Sequence, residues 1–441
     1  MDRINSRSGV CELINADSEQ ALPMTATTIY ADVPKPENAL RAFDAVNFFV
    51  AGALAGFGPF VALFLTQQGW PPGRIGFALT AGTVAGLLAP LPGGELLDRM
   101  RSKTILLAVG IGIIGLSALM IGLLPSFPVV IMALVLQGMS AATIGLGIPA
   151  ISLGLVGDAV LAERLGRNQR FQSGGSLIAA ALMGTIGYFF SNRVIFFTST
   201  LLAIPALVAL KHIRSTDIHF GQSVGAPDHH EAATPPRLRR LAIFTDRSLL
   251  IFASILFLFQ MANGSVLPLI SEALAQTAGG KSSLILSALI VVPQILVVVV
   301  APWIGRQAKS WGRRPLLLIG TGALPARAFL LAVIGSPVVV TLGQILDGVT
   351  AAVLGVVQPL VIADLTRGSG RFNLAQGFVA AMSGIGASLS TFVSGLIHEV
   401  VGPQAAVLGA GCVALIAFLV CLALMPETKP AQTSTDAGSH R

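Results

Sequence analysis

Apolar runs long enough to cross a bilayer follow one another along most of the chain. A spanning helix needs about 20 predominantly apolar residues. Runs of that length occur at 43–66, 75–97, 104–123, 128–156, 171–190 and 193–211. A polar stretch from His212 to Asp246 follows, with Pro227, Pro235-Pro236 and the basic run Arg237-Leu238-Arg239-Arg240. Six more runs lie at 248–271, 282–304, 315–334, 337–363, 373–397 and 402–425. The pattern predicts an all-α membrane protein of twelve transmembrane helices. Its expected parts are a disordered N-terminal tail at 1–40, a six-helix bundle at 41–211, a linker at 212–246, a second six-helix bundle at 247–425 and a C-terminal tail at 426–441.

Composition agrees with a hydrocarbon solvent. Apolar residues make up 54% of the chain and charged ones 11%, whereas a soluble domain carries roughly a quarter charged residues. The 48 Gly and 25 Pro suit close helix packing and broken helices in membranes. The net charge of +7 does not point to nucleic acid, because the basic residues lie in short clusters between apolar runs rather than in one patch. Cys11, Cys412 and Cys421 have neither metal-site spacing nor a disulfide framework. The cluster His229-His230-Glu231 reads as a solvated loop; metal binding is the lesser alternative. Residues 1–40 are polar and mixed, so a cleavable signal peptide is not expected there.

Most of the 28 Lys and Arg fall on one side of the predicted topology; the other holds Arg74, Arg193 and Lys281, and Arg327 lies inside a run. Basic residues mark the cytoplasmic side, so both termini are expected in the cytoplasm and the protein in the cytoplasmic membrane.

The two sets of six runs repeat each other. Gln137-Gly138-Met139-Ser140-Ala141-Ala142, with Gly145 and Pro149, matches Asp347-Gly348-Val349-Thr350-Ala351-Ala352, with Gly355 and Pro359. Glu163 is followed by Arg170-Phe171-Gln172 as Asp364 is by Arg371-Phe372-Asn373, and the loop Gly94 to Lys103 matches Gly305 to Arg314. Three matches in register argue for a duplication and two pseudo-symmetric bundles, the usual build of secondary transporters.

The loop Gly94-Glu95-Leu96-Leu97-Asp98-Arg99-Met100-Arg101-Ser102-Lys103 resembles the signature between helices 2 and 3 of the major facilitator superfamily, Gly-x-x-x-Asp-Arg-x-Gly-Arg-Lys. Arg101 stands where that family usually has Gly, and Ser102 where it has Arg. The second copy keeps Gly312-Arg313-Arg314 but has Lys309 in place of the Asp. The acid-x6-Arg pairs resemble cytoplasmic motifs of the sugar-porter branch, and Pro426-Glu427-Thr428-Lys429 resembles its tail.

The resemblance implies alternating access with a switchable inner gate built from these loops. In that gate Asp98 is expected near the N-terminus of helix 11, around Phe372, where free backbone N–H groups favour an anion. Glu163 and Asp364 are expected to pair with Arg99 and with Arg313 or Arg314. Lys309 should be repelled by a helix N-terminus, leaving an asymmetric gate dominated by Asp98. The bland alternative is that these charges only set topology.

Ionisable residues at membrane depth are costly and usually functional. Asp347 falls about 15 Å below the outer end of helix 10 and Arg327 about 18 Å above the inner end of helix 9, at 1.5 Å per residue. They are expected to pair, either as a structural ion pair or with Asp347 as a coupling or substrate carboxylate. Asp44, near the inner end of helix 1, is a further coupling candidate.

Helices 1, 4, 7 and 10 line the cavity in the resembling family, which makes Asn47, Gln137, Gln260, Asn263 and Gln358 candidate lining residues, with hydrogen-bonded ties between helices as the alternative for these amides. The family's helix 4 Arg would fall at Leu134. Pro59, Pro149, Pro268 and Pro359 can kink those four helices, and Gly52-x-x-x-Gly56 and Gly82-x-x-x-Gly86 suit close packing of helices 1 and 2.

No Walker loop, nucleophile elbow or His-Glu-x-x-His helix is present, so an enzyme or an ATP-driven pump is not expected. The expectation is a monomeric secondary transporter for a small organic solute or ion, without a cofactor. A proton gradient is the available energy source. A transport-inactive sensor or scaffold and an uncoupled facilitator are the alternatives.

Overall fold

A computed structural model describes residues 37–57, 59–100, 102–213, 218, 245–266, 282–333, 337–367 and 369–429. Every structural statement below concerns those residues. Most of the two tails and of the linker, Pro268, and the His229-His230-Glu231 cluster lie outside them. The described residues are almost entirely helical: α1 Glu37–Ala55, α2 Pro59–Gln67, α3 Pro72–Leu88, α4 Pro90–Arg99, α5 Lys103–Leu123, α6 Phe127–Phe189, α7 Asn192–Lys211, α8 Arg247–Asn263, α9 Ser282–Ser310, α10 Arg314–Val333, α11 Pro337–Leu365, α12 Phe372–Val401 and α13 Pro403–Leu424.

Among the described residues nine spans are long and apolar enough to cross a bilayer, α1 and α2 counting together as one, or ten when α3 and α4, bent by 41°, count as one span. The expected twelve differs from this number for two reasons. Helix α8 ends at Asn263 among the described residues, 17 residues in all. Helix α6 counts once although it has 63 residues, a length of about 95 Å at 1.5 Å per residue. A chain of that length folds back, and the bend is at Gly157, whose φ of 66° and ψ of 178° interrupt the helix. An L side chain rarely adopts that conformation, so glycine suits the break.

The segment after Gly157 is already helical at Asp158, well before the apolar run at 171–190. Glu163, Arg164, Arg167 and Arg170 therefore stand on a helix where a loop was expected. Apolarity reports which length of a helix touches oil; the charged turns continue the helix because neighbouring groups pair them.

Large apolar side chains on the outside, such as Leu116, Leu201, Val299 and Phe392, are half to two-thirds exposed, as a lipid-facing surface requires. Inside, one apolar cluster gathers residues of α1, α2, α3, α5, α6 and α7 around Phe43, Phe64 and Phe196. A second joins α8 to α13 with Ala150, Leu153, Leu161, Ala162 and Leu165 of α6. Gly52 and Gly56 admit α6 and α7 against α1, and Gly82 and Gly86 admit the α6 backbone at Leu134 and Gly138 against α3.

Candidate functional site

A cavity of about 460 Å³ opens between α8, α11 and α12. Its polar lining is Gln260 and Asn263 from α8, Thr350 and Gln358 from α11, and Ser383 from α12. Leu256, Phe259, Ala351, Leu354 and Ala380 supply apolar walls. No charged side chain is among the lining residues. Uncharged hydrogen-bonding groups set in apolar walls are what a small organic ligand needs, since apolar contact supplies affinity and the amides fix orientation.

Behind the cavity Arg327 is buried, and its Nη1 donates to Asp347 Oδ1. The same nitrogen donates to Asn263 Oδ1 at 3.0 Å. One lining amide is therefore held by an ion pair that does not itself line the cavity. Thr350, nearly fully buried, donates its hydroxyl to Gly320 O on α10 at 3.1 Å.

At the end of the bundle that carries the predicted gate motifs, α4 meets α12 and α6 meets α9. Asp98 at the end of α4 sits on the first turn of α12. Its Oδ2 accepts from Leu374 N at 2.9 Å, and its Oδ1 accepts from Asn373 Nδ2 at 2.5 Å and Asn373 N at 3.3 Å. These backbone N–H groups are at the start of α12 and have no intrahelical acceptor, so a carboxylate there completes them and meets the positive end of the helix dipole.

Of the other predicted pairings, that of Asp364 with Arg313 is present and that of Glu163 is rearranged. Arg99 bonds Glu95 on its own helix at 2.7 Å, and Glu163 bonds Lys309 at 2.7 Å rather than Arg99. Asp364 accepts from Arg313 Nε at 2.7 Å, and Arg367 approaches Asp158 to 3.7 Å. Lys309, expected to be repelled by a helix N-terminus, meets none and pairs with Glu163 instead, because the helical segment facing it begins at Asp158, five residues before Glu163.

Backbones touch in this layer at four glycines. A Cβ on Gly94 would overlap the carbonyl oxygen of Asn373, and one on Gly377 that of Pro90. A Cβ on Gly305 would lie 2.6 Å from Ala162 O, and one on Gly166 2.6 Å from Ala301 O. The second pair of contacts repeats the first with every residue shifted by 211 positions, the same shift that relates Asp98 to Lys309 and Glu163 to Leu374. This is the internal repeat expressed as geometry, in a register that matches Glu163 with Leu374 and not with Asp364.

The family described as the MFS_1 like family matches residues 40–408. This chain belongs to that family. An uncharacterized MFS-type transporter of Mycobacterium tuberculosis is 33% identical over 398 residues, covering 90% of this chain and 95% of that protein. Among solved structures, the proton:xylose symporter XylE superposes with a TM-score of 0.67 at 17% identity, over 89% of this chain and 95% of that one. The human organic anion transporter MFSD10 gives 0.66 at 16% identity, over 88% and 100%. The last two likenesses show the fold.

In this MFS transporter Asn47 and Gln137 do not line the cavity described above. Gln137 is half-buried on α6. Asn47, fully buried, accepts from Gln172 Nε2 at 2.8 Å and donates to Phe43 O at 2.7 Å. Asp44 one turn earlier accepts from Arg164 Nη2 at 2.6 Å and from Arg167 Nε at 2.8 Å, while Arg164 Nε donates to Asn168 Oδ1 at 2.8 Å. Both residues thus tie α1 to α6 in one polar network. The α12 residues that line the cavity, Ala380, Ser383 and Gly384, were not expected, because helix 11 was outside the four helices taken from the resemblance.

The remaining motif residues frame the same end of the bundle. Arg170 is exposed on α6, Arg371 is buried directly before α12, and Lys103 opens α5. Glu427, beyond α13, accepts from Arg313 N at 2.8 Å and Arg314 N at 3.1 Å, so the segment after the last helix caps α10 just after the turn at Gly312. The spacing of the Pro426-Glu427 motif could have suggested a charge partner, but not a backbone one.

Proposed function

We propose that this chain is a secondary active transporter that carries a small organic solute across the cytoplasmic membrane by alternating access, with a proton gradient as its energy source. The observation that carries the reading is the uncharged polar cavity between α8, α11 and α12, in a bundle whose one end is held by contacts between α4 and α12 and between α6 and α9. The Lys and Arg distribution supports a cytoplasmic position for that end, and in this reading the arrangement described is closed toward the cytoplasm. Similarity of fold to a proton:xylose symporter and to an organic anion transporter supports a solute-carrying role.

Lys and Arg bias also supports cytoplasmic termini, and the internal repeat supports a two-bundle, twelve-span topology in which α6 contributes two spans. Asp98, Lys309, Glu163, Asp158 and Arg367 form the gate in this reading, and Gln260, Asn263 and Gln358 meet the solute. The test is reconstitution of the full chain into proteoliposomes with a panel of labelled solutes under imposed pH gradients. Saturable uptake that collapses when the gradient is dissipated is expected. No movement of any solute in either direction, from correctly folded protein, would end the reading.

A further inference from the structure

We propose that Arg327 is a positioning residue for solute recognition. In its ion pair with Asp347 it pins the side-chain amide of Asn263 so that the cavity offers an N–H donor at that point, and so selects an uncharged solute with a hydrogen-bond acceptor there. The inference rests on the transporter reading for the role of the cavity.

The chemistry follows from which groups can accept. A guanidinium has donors only. Arg327 Nη1 donates to Asn263 Oδ1 at 3.0 Å and also to Asp347. If the Asn263 amide turned over, its NH2 would face that guanidinium nitrogen, donor against donor, and a buried hydrogen bond to a charged group would be lost. Oδ1 is therefore held toward Arg327, and the Nδ2 hydrogens are left for the cavity that Asn263 lines. Gln260 and Gln358 line the same cavity and carry both a donor and an acceptor, so they adapt to a ligand. Asn263 does not adapt.

The same arrangement sets the charge preference. The cation behind the cavity is already matched by Asp347, and the lining is uncharged. An anionic solute would have to compete with Asp347 for Arg327, which is buried and 2% exposed. A cationic solute would meet no lining carboxylate. A site built around one fixed donor rejects a ligand that presents a donor to it, because both groups are then left without a partner.

Two probes of nearly the same size and shape separate these cases: quinoline, whose ring nitrogen only accepts, and indole, whose N–H only donates. Quinoline-4-carboxylate and N-methylquinolinium supply the charged arms. Dissociation constants are measured on the full chain in detergent by saturation-transfer NMR at pH 7. In the wild type, quinoline is expected to bind at least about fivefold tighter than indole, and both charged probes more weakly than quinoline.

The double variant Arg327→Met/Asp347→Leu removes both charges together, which buried pairs often tolerate. Its quinoline-to-indole ratio is expected to fall to within about twofold, because the amide can then turn. Asn263→Asp keeps Arg327 paired, places an acceptor-only group at the cavity, and should reverse the preference toward indole. That variant decides the matter if the double one does not fold. General damage to the bundle would weaken both probes alike and leave their ratio unchanged.

The proposal is overturned by an unchanged ratio in a folded variant, by tightest wild-type binding of a charged probe, or by the absence of saturable binding of both neutral probes. Intact probe preference with no solute transport in proteoliposomes would remove the transporter reading and leave the amide orientation standing. Transport with an unchanged ratio would do the opposite.

Discussion

Asp98→Asn isolates the strongest contact between the two sides of the bundle. The substitution keeps size and shape, but the side chain then has one acceptor oxygen and one NH2 group. The wild-type carboxylate accepts from Leu374 N at 2.9 Å, from Asn373 Nδ2 at 2.5 Å and from Asn373 N at 3.3 Å. Whichever way the new amide turns, an NH2 faces an N–H of the first turn of α12. A hydrogen bond to a charged group contributes about 1.5–3 kcal/mol, and a charge at an exposed helix N-terminus about 0.3–1 kcal/mol. Asp98 is half-buried, so solvent replaces part of what is lost, and a net effect of about 2 kcal/mol is the working figure. Because the contact exists only while α4 and α12 touch, the loss shifts the equilibrium toward opening at this end by about 30-fold.

The assay places one cysteine in the cavity, Ser383→Cys, in a chain whose own Cys11, Cys412 and Cys421 have been replaced. Labelling by a membrane-impermeant thiol reagent is timed in vesicles of each orientation. Asp98→Asn should speed labelling from the cytoplasmic side by about 30-fold and slow it from the other. Rates within a factor of about two of the parent, with unchanged transport, would refute the gate and leave these charges as topology signals.

Three further outcomes follow from the same contacts. Lys309→Gln removes an ion pair whose partners are 39% and 49% exposed, worth at most about 1 kcal/mol, so cytoplasmic labelling should rise less than about fivefold; the reversed pair Glu163→Lys/Lys309→Glu should restore the parent rate, and a rise as large as that of Asp98→Asn would contradict the assigned exposures. Gly94→Ala and Gly305→Ala each push a methyl onto a carbonyl of the facing helix, an overpacking cost of about 1–3 kcal/mol that should favour cytoplasmic opening, whereas Gly112→Ala, with open space around it, should leave labelling as it was; equal effects at all three would sink the contact layer. Arg327→Met alone leaves Asp347 unpaired and should lower stability by about 3–5 kcal/mol, read as a lower melting temperature in detergent, with most of it regained in Arg327→Met/Asp347→Leu; a single variant as stable as wild type would show that the pair is not buried as described.

The apolar runs were legible because one solvent acts on all of them. Oil imposes the same length on every crossing, and each run announces itself without knowledge of its neighbours. Depth along a helix made one pairing legible, and the loop motifs made legible those of Asp98 with the start of α12 and of Asp364 with Arg313. Arg327 and Asp347 lie at similar depths on consecutive helices, and depth follows from residue count. Glu163 was different, since its partner depends on where the α6 segment starts. Apolarity placed that start near residue 171, whereas the helix is already formed at Asp158. Arg99, the expected partner of Glu163, instead meets Glu95 four residues back on the same helix. Asn47 was assigned to a cavity because its helix lines one in the resembling family. The acid one turn earlier, Asp44, is held by Arg164 and Arg167, and this turns the same face of α1 toward α6. The side-chain amides carried no mark that separates a lining residue from a tie between helices.

Duplication conserved the shape of the contact layer and not its chemistry. Gly94 and Gly377 bring α4 onto α12, Gly305 and Gly166 bring α9 onto α6, and the two sets are related by one shift of 211 positions. Within that frame Asp98 is replaced by Lys309, and Leu374 by Glu163. The reversal follows from where each helix begins. Helix α12 starts at Phe372, so the N–H groups of Asn373 and Leu374 lack intrahelical acceptors and a carboxylate is the fitting partner. Around Ala162 and Glu163 the helix is already under way, i−4 carbonyls are available to its N–H groups, and no anion site exists. A side-chain acid then provides the charge, and a lysine answers it. The first contact is half-buried and bonds backbone; the second is an exposed ion pair, which added salt weakens. Rising ionic strength therefore loosens the α6–α9 contact while largely sparing that of α4 with α12, so this end of the bundle is held by two geometrically matched contacts of unequal strength.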